Sequence, residues 1–330
     1  MKTRILYRLA IVTVFTGMIF AACKKSDVNA NNGSTSTDLQ TQADDQTRVS
    51  TESDAVSNDV NTMMSAEPTV SGASISNPGY ASGKAIEGGN GTDTVTSYIC
   101  DATVSVDTVD NPRTITLTYN GKNCSLTRTR TGVVVISIPK GVNWRDQGAV
   151  ITVSIQNLKI TRLIDGKSIT LNGMHTYTNV SGGSLINLSK LPNGITHTVT
   201  SSNMSVTFDD NTTRTWQVAR QRLYLYSSGV VTCTLTGTHT DGSTTGISEW
   251  GTNRYGNSFE TSISSPLVVS SACSQRLISG AITTVRPDVT TSITFGLDAS
   301  GNPVSCPAGT FYFKVIWTLS SKSYTFILPY

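Results

Sequence analysis

The sequence lacks the short motifs that mark the common catalytic sites. It contains no G-x-S-x-G nucleophile turn, no H-E-x-x-H zinc helix, no phosphate-binding loop and no strand followed by G-x-G-x-x-G and a helix. Histidine is scarce, with three residues in a chain of 330, and charged residues make up only 14%. The scattered carboxylates show no spacing that selects a glycosidase-like pair. We therefore expect a protein that is not an enzyme and that requires neither a cofactor nor a bound metal ion.

The N-terminal apolar run is too short to cross a membrane as a helix. This run, Leu9–Ala22, falls short of the ~18 residues that a spanning helix needs. It follows three basic residues and ends in small residues before Cys23. This layout is typical of a secretory signal peptide, which we predict over residues 1–22.

The run Phe20-Ala21-Ala22-Cys23 resembles a bacterial lipobox, although Phe20 stands where leucine is usual. The resemblance implies that Cys23 carries lipid, palmitate included, and is the first residue of the mature protein. Several acyl chains anchor a protein stably where one does not. We therefore expect attachment to the outer membrane of the cell envelope, either on its periplasmic side or on the cell surface. An ordinary signal peptide with an incidental cysteine is the alternative.

Large apolar and aromatic residues are scarce in residues 23–94, which carry an excess of acidic side chains. Such a segment buries too little apolar surface to offset its ordering entropy, so we predict a lipid-anchored polar tether. A possible helix over 44–64 would need the following domain to pack on, and Pro68 would end it. The apolar positions that share one face of this helix are Val49, Val56, Val60 and Met63. A wholly disordered tether is the alternative.

Residues 95–330 show period-2 patterning, in which threonine alternates with valine, isoleucine, leucine or phenylalanine. Turn signals such as Asn120-Gly121, Asp165-Gly166 and Asp241-Gly242 recur between these runs. The pattern predicts an all-β domain, either an antiparallel β-sandwich or an extended β-meander. Its excess of basic residues is spread along the chain, so we expect no nucleic-acid partner.

Two segments of this domain share the order cysteine, strand, turn, cysteine, glycine, strand. The first contains Cys100 and Cys124, and the second contains Cys273 and Cys306. The repeat suggests two similar β-units, each with its own disulfide, in an exported protein that can keep such bonds. Cys233 is left over and is predicted to be a buried, inert thiol.

Several short stretches resemble exported β-rich lipoproteins of Bacteroidota-type bacteria, a group with no assigned activity. They are Arg113-Thr-Ile-Thr-Leu-Thr-Tyr119 with Cys124, Gln147-Gly-Ala-Val-Ile-Thr-Val153, Gly251-Thr-Asn-Arg254, Ser265-Pro-Leu-Val268, and Cys273 before Ser279-Gly280. The resemblance extends through most of residues 95–330. It implies a location at the cell surface or in the periplasm, and it identifies no active-site residues.

Two groups of residues are candidates for binding. The first group is the three histidines His175, His197 and His239, which lie on the same strand faces as apolar residues and could meet in the interior as a zinc site. Their sequence shows no short spacing typical of zinc ligands. The alternative is that they are hydrogen-bonded or edge histidines. The strand Arg214–Tyr226 places aromatic rings and guanidinium groups on one face, which could stack on and pair with an acidic glycan. The residues predicted for this site are Trp216, Arg220, Arg222 and Tyr224. The alternative places the tryptophan and tyrosines in the core and the arginines along an edge.

The sequence is compatible with three functions. The first is a membrane-anchored envelope lipoprotein that presents a non-catalytic β-domain for adhesion or for binding a glycan or an envelope protein. The second is a structural or assembly component of the outer membrane. The third is a hydrolase with an unrecognised carboxylate site.

Overall fold

The computed structural model describes residues 36–70, 99–124, 126–273, 276–306, 310–319 and 322–330. The predicted signal peptide and Cys23 lie outside the described residues, as does most of the predicted tether. Gln46–Tyr330 forms one compact unit, and the contacts described below lie within it. Among the described residues, no helix combines the length and apolar character needed to cross a membrane.

One α-helix, α1 (Ser36–Val70), precedes the sheet and extends beyond both ends of the predicted helix. Pro68 lies in its last turn, at the end that the sequence indicates. The predicted apolar face is confirmed, since Val49, Val56, Val60 and Met63 are all buried. Two short 3-10 helices, Leu185–Lys190 and Ser271–Cys273, lie between later strands.

The rest of the described chain confirms the all-β antiparallel prediction. Fifteen strands form one sheet, and its order through the first seven strands is that of an extended meander. From β7 the sheet continues through β10 to β15, while β8 pairs with β7 and β11, and β9 pairs with β10. The strands are β1 (Ala102–Asp107), β2 (Arg113–Lys122), β3 (Arg128–Ile138), β4 (Ala149–Arg162), β5 (Ser168–Asn179), β6 (Ile195–Phe208), β7 (Thr213–Ser227), β8 (Val230–Gly237), β9 (His239–Asp241), β10 (Thr244–Thr252), β11 (Ser258–Ser270), β12 (Arg276–Val285), β13 (Thr290–Leu297), β14 (Tyr312–Leu319) and β15 (Lys322–Pro329).

A row of irregularities crosses the first half of the sheet and allows it to bend. The pairing register shifts once in each of the pairs β3–β4, β4–β5, β5–β6 and β6–β7. Asn157 adopts a left-handed backbone conformation at one shift, and Gly132 and Gly173 have positive φ at others. A Cβ at Gly173 would lie 2.8 Å from the carbonyl oxygen of Asn203, so only glycine allows the strands to approach this closely. Bulges of this kind bend strands and increase their twist.

The bent sheet packs against α1. The apolar side chains of the helix join one continuous core with inward residues of β1 to β7 and with Phe259 of β11. Between Gln46 and Ser65, only Thr51 and Asn58 are exposed. These two positions are seven residues apart and mark one narrow stripe of the helix. The part of the helix from Gln46 to Ser65 is therefore covered by the sheet over most of its surface.

Both predicted disulfides are present. Cys100 bonds Cys124 with a Cα–Cα distance of 5.1 Å, and Cys273 bonds Cys306 at 5.5 Å. In the chain-entropy estimate, loops of this length stabilise the fold by about 3–4 kcal/mol each. Cys233 on β8 is a free, half-buried thiol, and its burial raises its pKa to about 11. The predicted turn at Asn120-Gly121 is wrong, because β2 continues through Lys122 and keeps its pairing with β3.

Candidate functional site

The four residues predicted to bind a glycan lie on β7 and share one face, as the alternation predicts. This face points inward beneath α1, where Trp216 is only 2% exposed and Arg220, Arg222 and Tyr224 are also buried. The interpretation as an open stacking surface is therefore corrected. The alternative is right about Trp216 and Tyr224 and wrong about Tyr226, which is 44% exposed. It is also wrong about the arginines, because β7 is an interior strand and its arginines meet carboxylates beneath the helix.

The best buried of these carboxylates belongs to Glu249 on β10, which has no exposed surface. Its Oε2 accepts hydrogen bonds from Arg214 Nη2 at 2.9 Å and from Gln46 Nε2 at 3.1 Å. Its Oε1 accepts a short hydrogen bond from Arg220. Arg214 also donates to Gln46 Oε1 at 2.7 Å and lies over the ring of Phe259. One carboxylate thus accepts hydrogen bonds from two buried guanidinium groups and from Gln46, at the start of the buried part of α1.

Farther along β7, the helix itself supplies the carboxylate. Asp54 Oδ1 accepts hydrogen bonds from Arg222 Nη2 at 2.6 Å and from Arg220 Nη1 at 3.2 Å. Two turns later on the helix, Asn61 donates to the hydroxyl of Tyr224 at 2.8 Å. These pairs fix the register of α1 against β7.

A second cluster ties α1 to β2 and β3. Arg130 forms a two-pronged pair with Asp101, at 2.7 and 2.6 Å, and donates to Asp59 of the helix at 2.7 Å. The Tyr119 hydroxyl donates to Asp59 at 2.8 Å, and the Arg130 guanidinium lies over the tyrosine ring. Burial raises the pKa of Asp59, and the positive charge of Arg130 opposes that shift. Asp101 follows Cys100 directly, so the first disulfide holds this cluster in place.

The three histidines do not come together as a metal site. His175 on β5 and His197 on β6 are buried, and neither ring nitrogen of either residue has a hydrogen-bond partner in the described part of the chain. Burial lowers the pKa of His175 to about 3 and that of His197 to about 4, assisted by the positive charge of Arg222. His239 instead stacks on Trp250, with ring centroids 4.0 Å apart. No group of three or more candidate metal ligands occurs among the residues described above.

This arrangement can hold a helix in a fixed register. Each of the carboxylates Asp54, Asp59, Asp101 and Glu249 contacts at least one arginine. A carboxylate held in this way is poorly placed to act as a general base or nucleophile, because its oxygen lone pairs already accept hydrogen bonds from a guanidinium group. The helix carboxylates are the functional groups that sequence reasoning missed. The available signal was the alternation of arginines along β3 and β7, together with acidic residues on the one predicted helix.

Comparisons with known proteins add no relative to this description. No protein-family model matches the chain, and no curated protein or solved structure shows significant similarity to it.

Replacing Trp216 with alanine should destabilise the fold by about 3–5 kcal/mol, as large-to-small changes in a packed core do. Urea unfolding followed by circular dichroism measures this loss. Tyr226→Ala is the matched control, because Tyr226 lies on the same face of β7 but is 44% exposed. We expect the control to cost less than about 1 kcal/mol. Equal losses for the two variants would contradict the placement of Trp216 in the core.

Proposed function

We propose that the protein is a cell-envelope lipoprotein, anchored to the outer membrane through lipid on Cys23, that presents a non-catalytic β-domain for binding a glycan or an envelope protein. The carrying observation is the lipobox-like Phe20–Cys23 at the end of a signal-like apolar run. The two disulfides support this setting, because such bonds persist in oxidising compartments outside the cytoplasm. The resemblance to exported β-rich lipoproteins is part of the same proposal.

The position of α1 supports a domain held close to the membrane. The helix begins at Ser36, 13 residues after Cys23, and its buried face belongs to the core of the β-domain. Thirteen residues can span at most ~45 Å even when fully extended. The helical residues 36–45, which precede the compact unit, add about 15 Å. An anchor at Cys23 would therefore leave the domain only a short reach from the bilayer.

The inner face of the sheet supports a non-catalytic role. That face is filled by α1, so a glycan or protein partner of the folded chain would bind elsewhere on the molecule. A structural or assembly role in the outer membrane is the second candidate, favoured by the enclosed helix and the ion pairs that hold it. A glycan array probed with Cys23–Tyr330 separates the two, since α1 must be included for the domain to have its core. Selective retention of one glycan class supports binding, and an empty array favours the structural role.

Cys23→Ala should move the protein from the membrane fraction to the soluble fraction, because the variant has no thiol to acylate. Fractionation and metabolic labelling with a fatty acid measure the two consequences. Cys233→Ala is the control, since it removes the other cysteine outside the disulfides and should leave both membrane retention and acyl label unchanged. Retention of Cys23→Ala in the membrane with its label intact would refute the anchor.

A further inference from the structure

One end of the sheet is a rim of turns, defined here by the connections β2–β3, β4–β5, β6–β7 and β10–β11. The pairing registers place these connections side by side. Arg128 at the start of β3 pairs with Arg162 at the end of β4, and Ile169 of β5 pairs with Phe208 at the end of β6. Arg254 of the β10–β11 turn contacts Asp210 of the β6–β7 turn at 3.1 Å.

The polarity of α1 places the N-terminal end of its enclosed part at this rim. Gln46 contacts Arg214, the second residue of β7, whereas Asn61 contacts Tyr224 near the opposite end of the strand. Asp54 contacts positions between them. The helix therefore runs in the same direction as β7. The chain that leads back toward Cys23 enters the domain at the rim.

The rim carries apolar side chains that point into solvent. Leu126 of the β2–β3 turn is 67% exposed, and Ile164 of the β4–β5 turn is 88% exposed. Leu163 and Tyr255 add further exposed apolar surface. Leu163 N donates to Thr127 O at 2.9 Å, so the first two turns are joined by a backbone hydrogen bond.

The β2–β3 turn is built to hold its leucine outward. Leu126 adopts a left-handed backbone conformation, with φ of 53°, which is unfavourable for a residue other than glycine. Asn123 fixes the turn, because its Oδ1 accepts hydrogen bonds from the backbone nitrogens of Thr127 and Arg128 at 2.9 and 3.1 Å. The disulfide at Cys124 adds a covalent restraint.

Basic side chains flank the apolar tips of the β2–β3 and β4–β5 turns, whereas the β6–β7 turn carries the exposed Asp209 and Asp210, the second of which contacts Arg254. Lys122 and Lys167 are exposed at the ends of the two turns. The only acidic residue between Arg162 and Lys167 is Asp165, which is held by Arg162 in a two-pronged ion pair. Exposed apolar groups flanked by lysines suit the interface of an anionic bilayer, where the apolar groups enter the acyl boundary and the cations face lipid phosphates.

The geometry points to the rim as a membrane-docking surface whose partner is the anionic phospholipid bilayer to which the protein is anchored. This inference rests on the proposed anchor at Cys23, because that anchor brings the rim end of the domain to the lipid. It adds that the domain has a fixed orientation, with Leu126, Leu163 and Ile164 inserted at the headgroup level. The opposite end of the sheet then faces away from the membrane.

The test places an indole at the rim and measures its contact with lipid. The mature chain Cys23–Tyr330, in the Cys233→Ala background, is coupled through Cys23 to a maleimide lipid in phosphatidylethanolamine–phosphatidylglycerol vesicles. The tether is then present whether or not cells acylate Cys23, so failure of the anchor proposal and failure of docking are separate results. Ile164→Trp is compared with Val109→Trp, since Val109 is 82% exposed in the β1–β2 turn at the opposite end. Emission is recorded with brominated acyl chains as the quencher, and the emission of the parent chain with its four tryptophans is subtracted.

We expect brominated lipid to quench the indole at position 164 at least about twofold more than the indole at position 109, because interfacial groups lie about 5–10 Å into the headgroup and acyl boundary. Neutral phosphatidylcholine vesicles or high salt should reduce the difference. Equal quenching at the two positions, or none at either, would overturn the proposal. If the emission of the indole at position 164 shows that it is buried without vesicles, and gel filtration shows a dimer, the rim is instead an interface between two copies of the chain. That result would also overturn the proposal.

Discussion

Glu249→Gln should lower the free energy of unfolding by about 3–5 kcal/mol, the usual consequence of removing one partner from a buried ion pair. The variant keeps the shape of the side chain and removes its charge, so no cavity contributes to the loss. Arg214 and Arg220 would then remain buried without the carboxylate that both contact. Asp54 of α1, which also contacts Arg220, is unchanged in the variant.

Glu260→Gln is the matched control for this measurement. Glu260 lies on β11 opposite Trp250, the neighbour of Glu249 in the chain, and is half-buried. We expect its substitution to change stability by no more than about 0.5 kcal/mol. Urea unfolding at neutral pH, followed by tryptophan fluorescence, compares the two variants with the parent chain. A loss below about 1 kcal/mol for Glu249→Gln would show that the arginine cluster does not depend on this carboxylate.

Acid should weaken the fold through His175 and His197. Burial holds the pKa of His175 at about 3 and that of His197 at about 4, and the nearby charges of Arg220 and Arg222 act in the same direction on His175. In the unfolded chain both histidines titrate near their ordinary value of about 6.5. As the pH falls below about 6.5, the unfolded chain therefore binds protons that the folded chain does not, and stability falls until the pH reaches the folded pKa values. Above about pH 6.5 the two histidines have no effect.

The expected loss between pH 7 and pH 5 is about 4 kcal/mol for the two histidines together, since each contributes about 1.4 kcal/mol per pH unit. Other groups, such as Asp59, whose pKa is raised by burial, also contribute to the pH dependence. The double variant His175→Leu and His197→Leu is therefore measured beside the parent chain. The double variant should lack this part of the pH dependence. Val199→Ala is the control, because Val199 is buried two residues from His197 and has no titrating group. A double variant with the same pH slope as the parent would contradict the prediction.

Local sequence pattern is sufficient for much of the fold. Period-2 alternation predicts the strands, since alternate side chains of a half-buried strand face the core. The spacing of Val49, Val56, Val60 and Met63 predicts the buried face of α1, and the repeated cysteine units predict both disulfides. The turn at Asn120-Gly121 was misread because pairing with β3 outweighs the local preference of those two residues.

The candidate site was harder to predict because it depends on contacts between distant segments. The alternation of side chains along a strand correctly places Trp216, Arg220, Arg222 and Tyr224 on one face of β7. It cannot show which of the two faces packs against the rest of the protein. Arginine normally lies on a solvated face or at an edge of a sheet. Here the arginines of β7 are buried because Asp54 and Glu249 form ion pairs with them. Asp54 lies on a helix whose docking depends on the whole sheet. No short window of sequence contains both partners.

The enclosure of α1 also constrains the order of events during folding. The helix is synthesised before any strand, yet Gln46 must find Glu249, 203 residues later in the chain. Contacts of such sequence separation require a large loop to close first, which slows folding. Until β10 has been made, Arg214 and Arg220 have no Glu249 to meet. We therefore expect α1 to pack against the sheet late in folding. Until then its apolar face is exposed, and this is where we expect the nascent chain to be most prone to aggregation.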